Sequence, residues 1–293
     1  MLNIRNRLSL NLRINNLMKN LFLVFIAGYF LSNCQSEKSA QENTQIALET
    51  NSMVELEKPE LALVWSDEFD ATTLNLDNWT YELGDGCPNL CGWGNSELQE
   101  YTDDNHRLED GMLIISAKKG SNSNYTSTRI KTKGKQEFQY GRIEARVKVP
   151  SGGGMWPAFW ALGNDIETNS WPNCGEIDIV EYVGKNPGQI FTSVHTPSSY
   201  GNTVNSMITI VPNVEDDFHK YAVDWNQNFI DFFFDDIRVY TYSVQTKNQN
   251  TWPFNKPFFL IINLAIGGNF GGPVASDLMF PREFIIDYVR VYQ

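Results

Sequence analysis

Histidine, cysteine, basic charge and long apolar runs are all in short supply in this chain of 293 residues. The three histidines, His106, His195 and His219, are scattered and form no metal-ligand cluster, and His106 and His219 have no evident partner. The four cysteines supply neither a zinc set nor a redox pair, because Cys87-Pro88-Asn89-Leu90-Cys91 is too loosely spaced for C-x-x-C. The apolar run Leu21 to Leu31 has 11 residues, whereas a membrane-spanning helix needs ~20. Lysine and arginine number 23 against 35 acidic residues, a net charge of −12. That balance argues against nucleic acid or an anionic polysaccharide as partner and leaves a neutral polymer open. No internal repeat is evident, and no helical period persists for three turns after residue 60.

Strand signals fill that gap. Arg142 to Val149 alternates polar and apolar residues, as a half-buried strand does. Phe229 to Tyr240 reads as a hairpin turning at Asp235-Asp236, and Phe258 to Leu264 as a strand covered on both faces. Many short strands punctuated by Gly, Pro and Asn predict an all-β fold, a two-sheet antiparallel β-sandwich of jelly-roll type with a concave cleft. All eight tryptophans lie between Trp65 and Trp252, and residues 61–293 read as one domain. Trp65, Trp79 and Trp225 are assigned to its core. Residues 35–60 hold no aromatic residue and read as a flexible tether.

The densest chemistry is in Gly175-Glu176-Ile177-Asp178-Ile179-Val180-Glu181-Tyr182-Val183-Gly184. On a strand, Glu176 and Asp178 share a face, and parity puts Glu181 on the other. A β-bulge near Ile179-Val180 would return Glu181 to its partners. Three acids on one face is costly as structure, since each raises its neighbours' pKa. It suits glycoside hydrolysis, which needs one carboxylate as nucleophile and a second, ~5–5.5 Å away in retaining enzymes, kept protonated as the acid. Asp178 can hold the nucleophile's orientation and help raise the pKa of Glu181. Trp156 and Trp160, four apart on one strand face, and Trp171 just ahead of the acids are candidate sugar platforms. His195, on the next strand, should return beside the acids. Asn95, Glu97 and Gln99 alternate along one expected strand face and are candidates for binding substrate hydroxyls.

At Gly152-Gly153-Gly154-Met155-Trp156-Pro157-Ala158-Phe159-Trp160, the acid run and Phe191-Thr192-Ser193-Val194-His195-Thr196, the sequence resembles glycoside hydrolase family 16. Within that family it is most similar to bacterial laminarinase-like endo-β-1,3-glucanases. Trp65 to Phe69, Gly92 to Gln99, Tyr140 to Arg146, Asn263 to Asn269 and Ile286 to Tyr292 continue the resemblance in order. It implies the same jelly roll, with Glu176 as nucleophile, Glu181 as acid/base and Asp178 between them. The five-residue spacing from Glu176 to Glu181 is the family's bulged form, which goes with laminarinases, agarases and carrageenases. Substrate would be β-glucan, with a mixed-linkage β-1,3-1,4-glucan or a galactan as alternatives and non-catalytic glucan binding as the rival function. The resemblance also implies a structural calcium ion held by Glu68, the Gly111 carbonyl and Asp287, and no cofactor for catalysis. A monomer is expected.

Residues 1–34 read as a lipoprotein-type signal peptide, with Met18 as an alternative start. Leu31-Ser32-Asn33-Cys34 resembles a bacterial lipobox with Cys34 lipidated. The expected location is an anchor on the bacterial envelope, at the outer membrane or cell surface, or secretion if the lipobox is not used. Removing Arg5, Arg7, Arg13 and Lys19 with the leader leaves 19 basic against 35 acidic residues, near −16. Of the other cysteines, one disulfide and one odd thiol are expected: Cys87–Cys91, or Cys174 paired with either.

Overall fold

The computed structural model describes residues 61–122 and 124–293. The expected signal peptide, Cys34 and the expected tether lie outside the described residues. The described residues build two sheets from seventeen strands, with a 3-10 turn at Cys91–Gly94 and one short helix at Gly268–Gly271. No helix among the described residues is long and apolar enough to cross a membrane. The architecture is the antiparallel jelly-roll sandwich that the strand pattern predicts.

The seven-stranded sheet runs in the order Ser206–Ile210, Gln189–His195, Glu176–Tyr182, Met155–Gly163, Phe258–Ile266, Arg129–Lys131, Thr80–Tyr81. Every pairing in it is antiparallel. The second sheet has ten strands, among them Gly141–Lys148, His219–Trp225 and Arg282–Tyr292. Alternation explains how each strand feeds the core between them. In Gly141–Lys148 the apolar Ile143, Ala145 and Val147 are buried, and the intervening positions carry Arg142, Glu144 and Arg146. Trp79, Trp225 and Phe258 are fully buried in the same cluster, with Trp65 packed against it.

Phe258–Ile266 is buried at all nine positions, because both of its faces are covered. Leu260, Ile262, Leu264 and Ile266 join the main core, while Phe259 and Ile261 form a second cluster with Leu162 and Cys174. The hairpin from Ile230–Phe234 to Ile237–Tyr242 turns at Asp235 and Asp236, whose φ values of 45° and 67° are those of a two-residue hairpin turn. Cys87 is bonded to Cys91, and Cys174 is the free, buried cysteine among the described residues.

Candidate active site

The Glu176–Tyr182 strand sits between Met155–Gly163 and Gln189–His195, and its register breaks where parity requires. Against Gln189–His195, Asp178 faces Ser193 and Glu181 faces Phe191, so three steps on one strand match two on the other. Against Met155–Gly163 the break falls between Asp178 and Val180. The extra residue is a β-bulge. Ile177, Ile179, Val180 and Tyr182 all enter the core, and Glu176, Asp178 and Glu181 share the opposite face. Glycines bracket this strand for steric reasons. Gly175 has φ +77°, and a Cβ there would come within 2.8 Å of Pro253; at Gly184 it would lie 1.8 Å from the Gly152 carbonyl oxygen.

The acids line a cavity of about 400 Å³ whose walls also carry Trp156, Trp160 and Trp171. Trp156 Nε1 donates to Glu181 Oε1 at 2.9 Å. Ser193 Oγ donates to Asp178 Oδ2 at 2.6 Å, and His195 Nε2 lies 3.1 Å from the same oxygen and 3.5 Å from Glu176 Oε1. His195 thus returns beside the acids, directly opposite Glu176 in register. Burial and the charge of Asp178 push Glu181 up to about 8, against which its bond from Trp156 works. Burial and Asp178 also push Glu176 well above the ordinary carboxylate range, with the charge of His195 opposing them. For His195, burial favours the neutral ring, but its bond to Asp178 and the three surrounding carboxylates outweigh burial and raise it to about 9. The imidazolium therefore persists at neutral pH. It stands against Glu176, which favours ionising Glu176 and leaving the proton on Glu181.

The candidate platforms differ in what they offer. Trp171 is 39% exposed beside His195 and Tyr200, with a free surface for stacking. Trp160 donates Nε1 to Asn263 at 2.7 Å, and Arg129 covers its ring at 5.0 Å. The same guanidinium lies 4.5 Å from the Trp93 ring, so Arg129 is held between two indoles while its Nε pairs with Glu82. Trp93, Arg129, Glu82, Lys131 and Asn263 all line the cavity, although none of them is a site candidate from the sequence. The alternation of Arg129 and Lys131 was the available signal.

Asn95, Glu97 and Gln99 do not form one strand face. Trp93 and Ser96 take φ 52° and 58°, which break the extended backbone, and the strand begins only at Gln99. Glu97 is instead the hub of a network, accepting from Asn95, Gln99 and Tyr101. Asn95 and Glu97 reach the cavity lining, but Gln99 is buried and its side-chain oxygen accepts the Ile266 amide. His106 and His219 have partners after all: the Tyr81 hydroxyl at 3.2 Å and Asp235 at 2.7 Å. Both contacts are long-range in sequence.

Glu68, Gly111 and Asp287 supply the hard oxygen donors that calcium takes. Both carboxylates are engaged by guanidinium groups, Glu68 with Arg290 at 3.0 and 2.7 Å and Asp287 with Arg146 at 2.6 Å. An ion at these side chains would have to displace both arginines.

The model of the glycosyl hydrolases family 16 matches residues 94–278, which contain the acid strand and most of the cavity lining. The chain belongs to glycosyl hydrolase family 16. Among solved family structures, the laminarinase from Flavobacterium sp. UMI-01 is 57% identical, with a TM-score of 0.77 over 79% of this chain and 100% of that one. The beta-glucanase of Rhodothermus marinus is 40% identical over 252 residues, 80% of this chain and 86% of that protein. The glucan endo-1,3-beta-glucosidase of Cryptopygus antarcticus is 38% identical over 252 residues, 78% of this chain and 90% of its own length. All three family-16 relatives are similar across the described domain.

Proposed function

We propose that this family-16 chain is an endo-β-1,3-glucanase that cleaves laminarin-type glucan with retention of configuration. The observation that carries the reading is the bulge, which brings Glu176, Asp178 and Glu181 to one cavity face with Glu181 held near pKa 8. Glu176 would attack the anomeric carbon as Glu181 gives its proton to the departing glycosidic oxygen. Water then cleaves the glycosyl ester of Glu176, its proton passing to the Glu181 carboxylate. Asp178, held by Ser193 and His195, orients Glu176. The names of the relatives support a β-1,3-glucan, and the acid motif, present in full, supports hydrolysis over glucan binding alone.

Reducing-sugar release should be at least about tenfold faster on laminarin than on lichenan, agarose or carrageenan, a difference that a few subsite contacts supply. Faster release from lichenan would indicate mixed-linkage activity, faster release from agarose or carrageenan a galactan hydrolase, and binding without release a non-catalytic protein.

Two further proposals concern the rest of the chain. Cys34 is acylated after cleavage behind Asn33, which would tie the domain to the envelope through residues 35–60. A Cys34→Ala protein should leave the membrane fraction; one that stays there to the wild-type extent defeats the anchor. Calcium exchanges for Arg290 and Arg146 at Glu68 and Asp287, joining the first and last strands of the domain. Adding calcium should then raise the melting temperature and chelator should reverse it, whereas a temperature unmoved by either removes the site.

A further inference from the structure

Three lone-pair donors converge where Glu176 and Asp178 line the cavity and His195 packs against them. His195 Nε2 lies 3.1 Å from Asp178 Oδ2 and 3.5 Å from Glu176 Oε1, and ligand atoms of all three residues fall within 4.8 Å of one another. Two carboxylate oxygens and an imidazole nitrogen this close repel unless a cation lies among them. A proton on Nε2 is one such cation. A metal ion is the other.

The distances suit zinc. With Zn–N and Zn–O bonds of ~2.0–2.1 Å, tetrahedral geometry separates ligand atoms by about 3.3 Å; the two separations from Nε2 bracket that value, and the two carboxylates lie within 4.8 Å of each other. The ring is also able to present its lone pair. His195 is only 9% exposed, and its Nδ1 is buried without a hydrogen-bond partner. Without a metal, Asp178 Oδ2 at 3.1 Å accepts the Nε2 proton; an ion must displace that proton, and with the remaining proton on Nδ1 the Nε2 lone pair faces both carboxylates. Ser193 holds Asp178 at 2.6 Å, the kind of outer contact that orients a metal ligand. Glu176 and Asp178 line the cavity, so a fourth position opens toward solvent. One nitrogen and two carboxylate donors favour zinc or cobalt over calcium, which takes oxygen.

We propose that Glu176, Asp178 and His195 form a zinc-binding site at which the ion inhibits the enzyme by occupying the nucleophile. Binding of the ion stands on this geometry alone; inhibition rests also on the glucanase reading above.

The test begins with calorimetric titration of untagged, chelator-treated protein with zinc chloride, which should reveal one stoichiometric site. His195→Gln and Asp178→Asn should each weaken it at least about tenfold. His219→Gln, which alters the exposed pair with Asp235 on the other sheet, should leave it unchanged. Cobalt(II) should give the intense visible absorption of a four-coordinate site in wild type and lose it in His195→Gln. Wild-type protein gives a readout independent of any variant's folding. A saturating laminarin oligosaccharide should weaken zinc binding, and zinc should raise the apparent KM for laminarin about tenfold with kcat unchanged. Absence of a stoichiometric site refutes the proposal. So does zinc binding that survives His195→Gln or ignores the oligosaccharide. Zinc binding that is lost in the variants of a protein inert toward laminarin upholds the site and removes the glucanase reading instead.

Discussion

Replacing Glu176 with Gln should lower kcat on laminarin by about 10⁴-fold or more, and by a similar factor on aryl glycosides with good leaving groups. The amide keeps the shape of the carboxylate and removes its nucleophilicity, so the glycosyl ester cannot form. A leaving group that needs no proton offers no escape, because the missing step is attack on carbon. Binding should survive, since the indoles, Arg129 and the Glu97 network are untouched, and KM should change far less than kcat. A Glu176→Gln enzyme that keeps a tenth of wild-type activity on activated substrates would assign the nucleophile elsewhere. Azide supplies the complementary readout in Glu176→Gly, where a small anion can fill the vacated space. It should attack from the nucleophile's face and give the α-glycosyl azide.

The electrostatics around Glu176 explain why a carboxylate pushed upward by burial can still act as a nucleophile. Asp178 and burial favour its protonated form, whereas His195, 3.5 Å away, opposes both. The proton is better placed on Glu181, where burial and the charge of Asp178 outweigh the opposing hydrogen bond from Trp156 and the weaker effect of His195. One strand thus keeps two glutamates in different protonation states through their different neighbours.

Residues with local signals were legible in the sequence, and those placed by distant partners were not. The acid strand could be read because parity alone excludes Glu181 from the face of Glu176, so a functional triplet demanded a bulge. The Asp235-Asp236 turn and the doubly covered Phe258–Ile266 strand were equally local. Asn95 to Gln99 shows the limit of alternation as evidence. Polar residues two apart look like a strand face, yet the left-handed Trp93 and Ser96 fold them into a turn around Glu97. Arg129 was invisible for a different reason. Its strand has three residues, and its meaning comes from Trp93, Trp160 and Glu82, which reach it from other parts of the chain. The arginine partners of Glu68 and Asp287 come from other strands too. A carboxylate read alone looks available for an ion; only the fold shows the guanidinium already there.

Replacing Glu181 with Ala should divide substrates by leaving group, the behaviour expected of an acid/base residue. Hydrolysis of laminarin should fall about 10²–10⁴-fold, the range that general acid catalysis contributes. Formation of the glycosyl ester from an aryl glycoside with an acidic phenol should be largely spared, so a burst of phenol should precede slow turnover. Azide should restore turnover by attacking that ester from the face vacated by the carboxyl group, giving the β-glycosyl azide. The pH profile provides a second measurement. In wild type the acid must be protonated, so kcat/KM should fall as pH rises through about 8, where Glu181 of the free enzyme loses its proton. That basic limb should vanish in Glu181→Ala on activated substrates, because no proton is then required. The stability sign is opposite. Ionisation of Glu181 in the folded state is delayed from its ordinary 4.5 to about 8, so the native protein holds a proton that the unfolded chain has released. Stability attributable to this group therefore declines as pH rises from about 4.5 toward 8, and Glu181→Ala should remove that slope. An α-glycosyl azide from this variant would exchange the roles of the two glutamates, and an α-configured hydrolysis product from wild type would defeat the retaining mechanism.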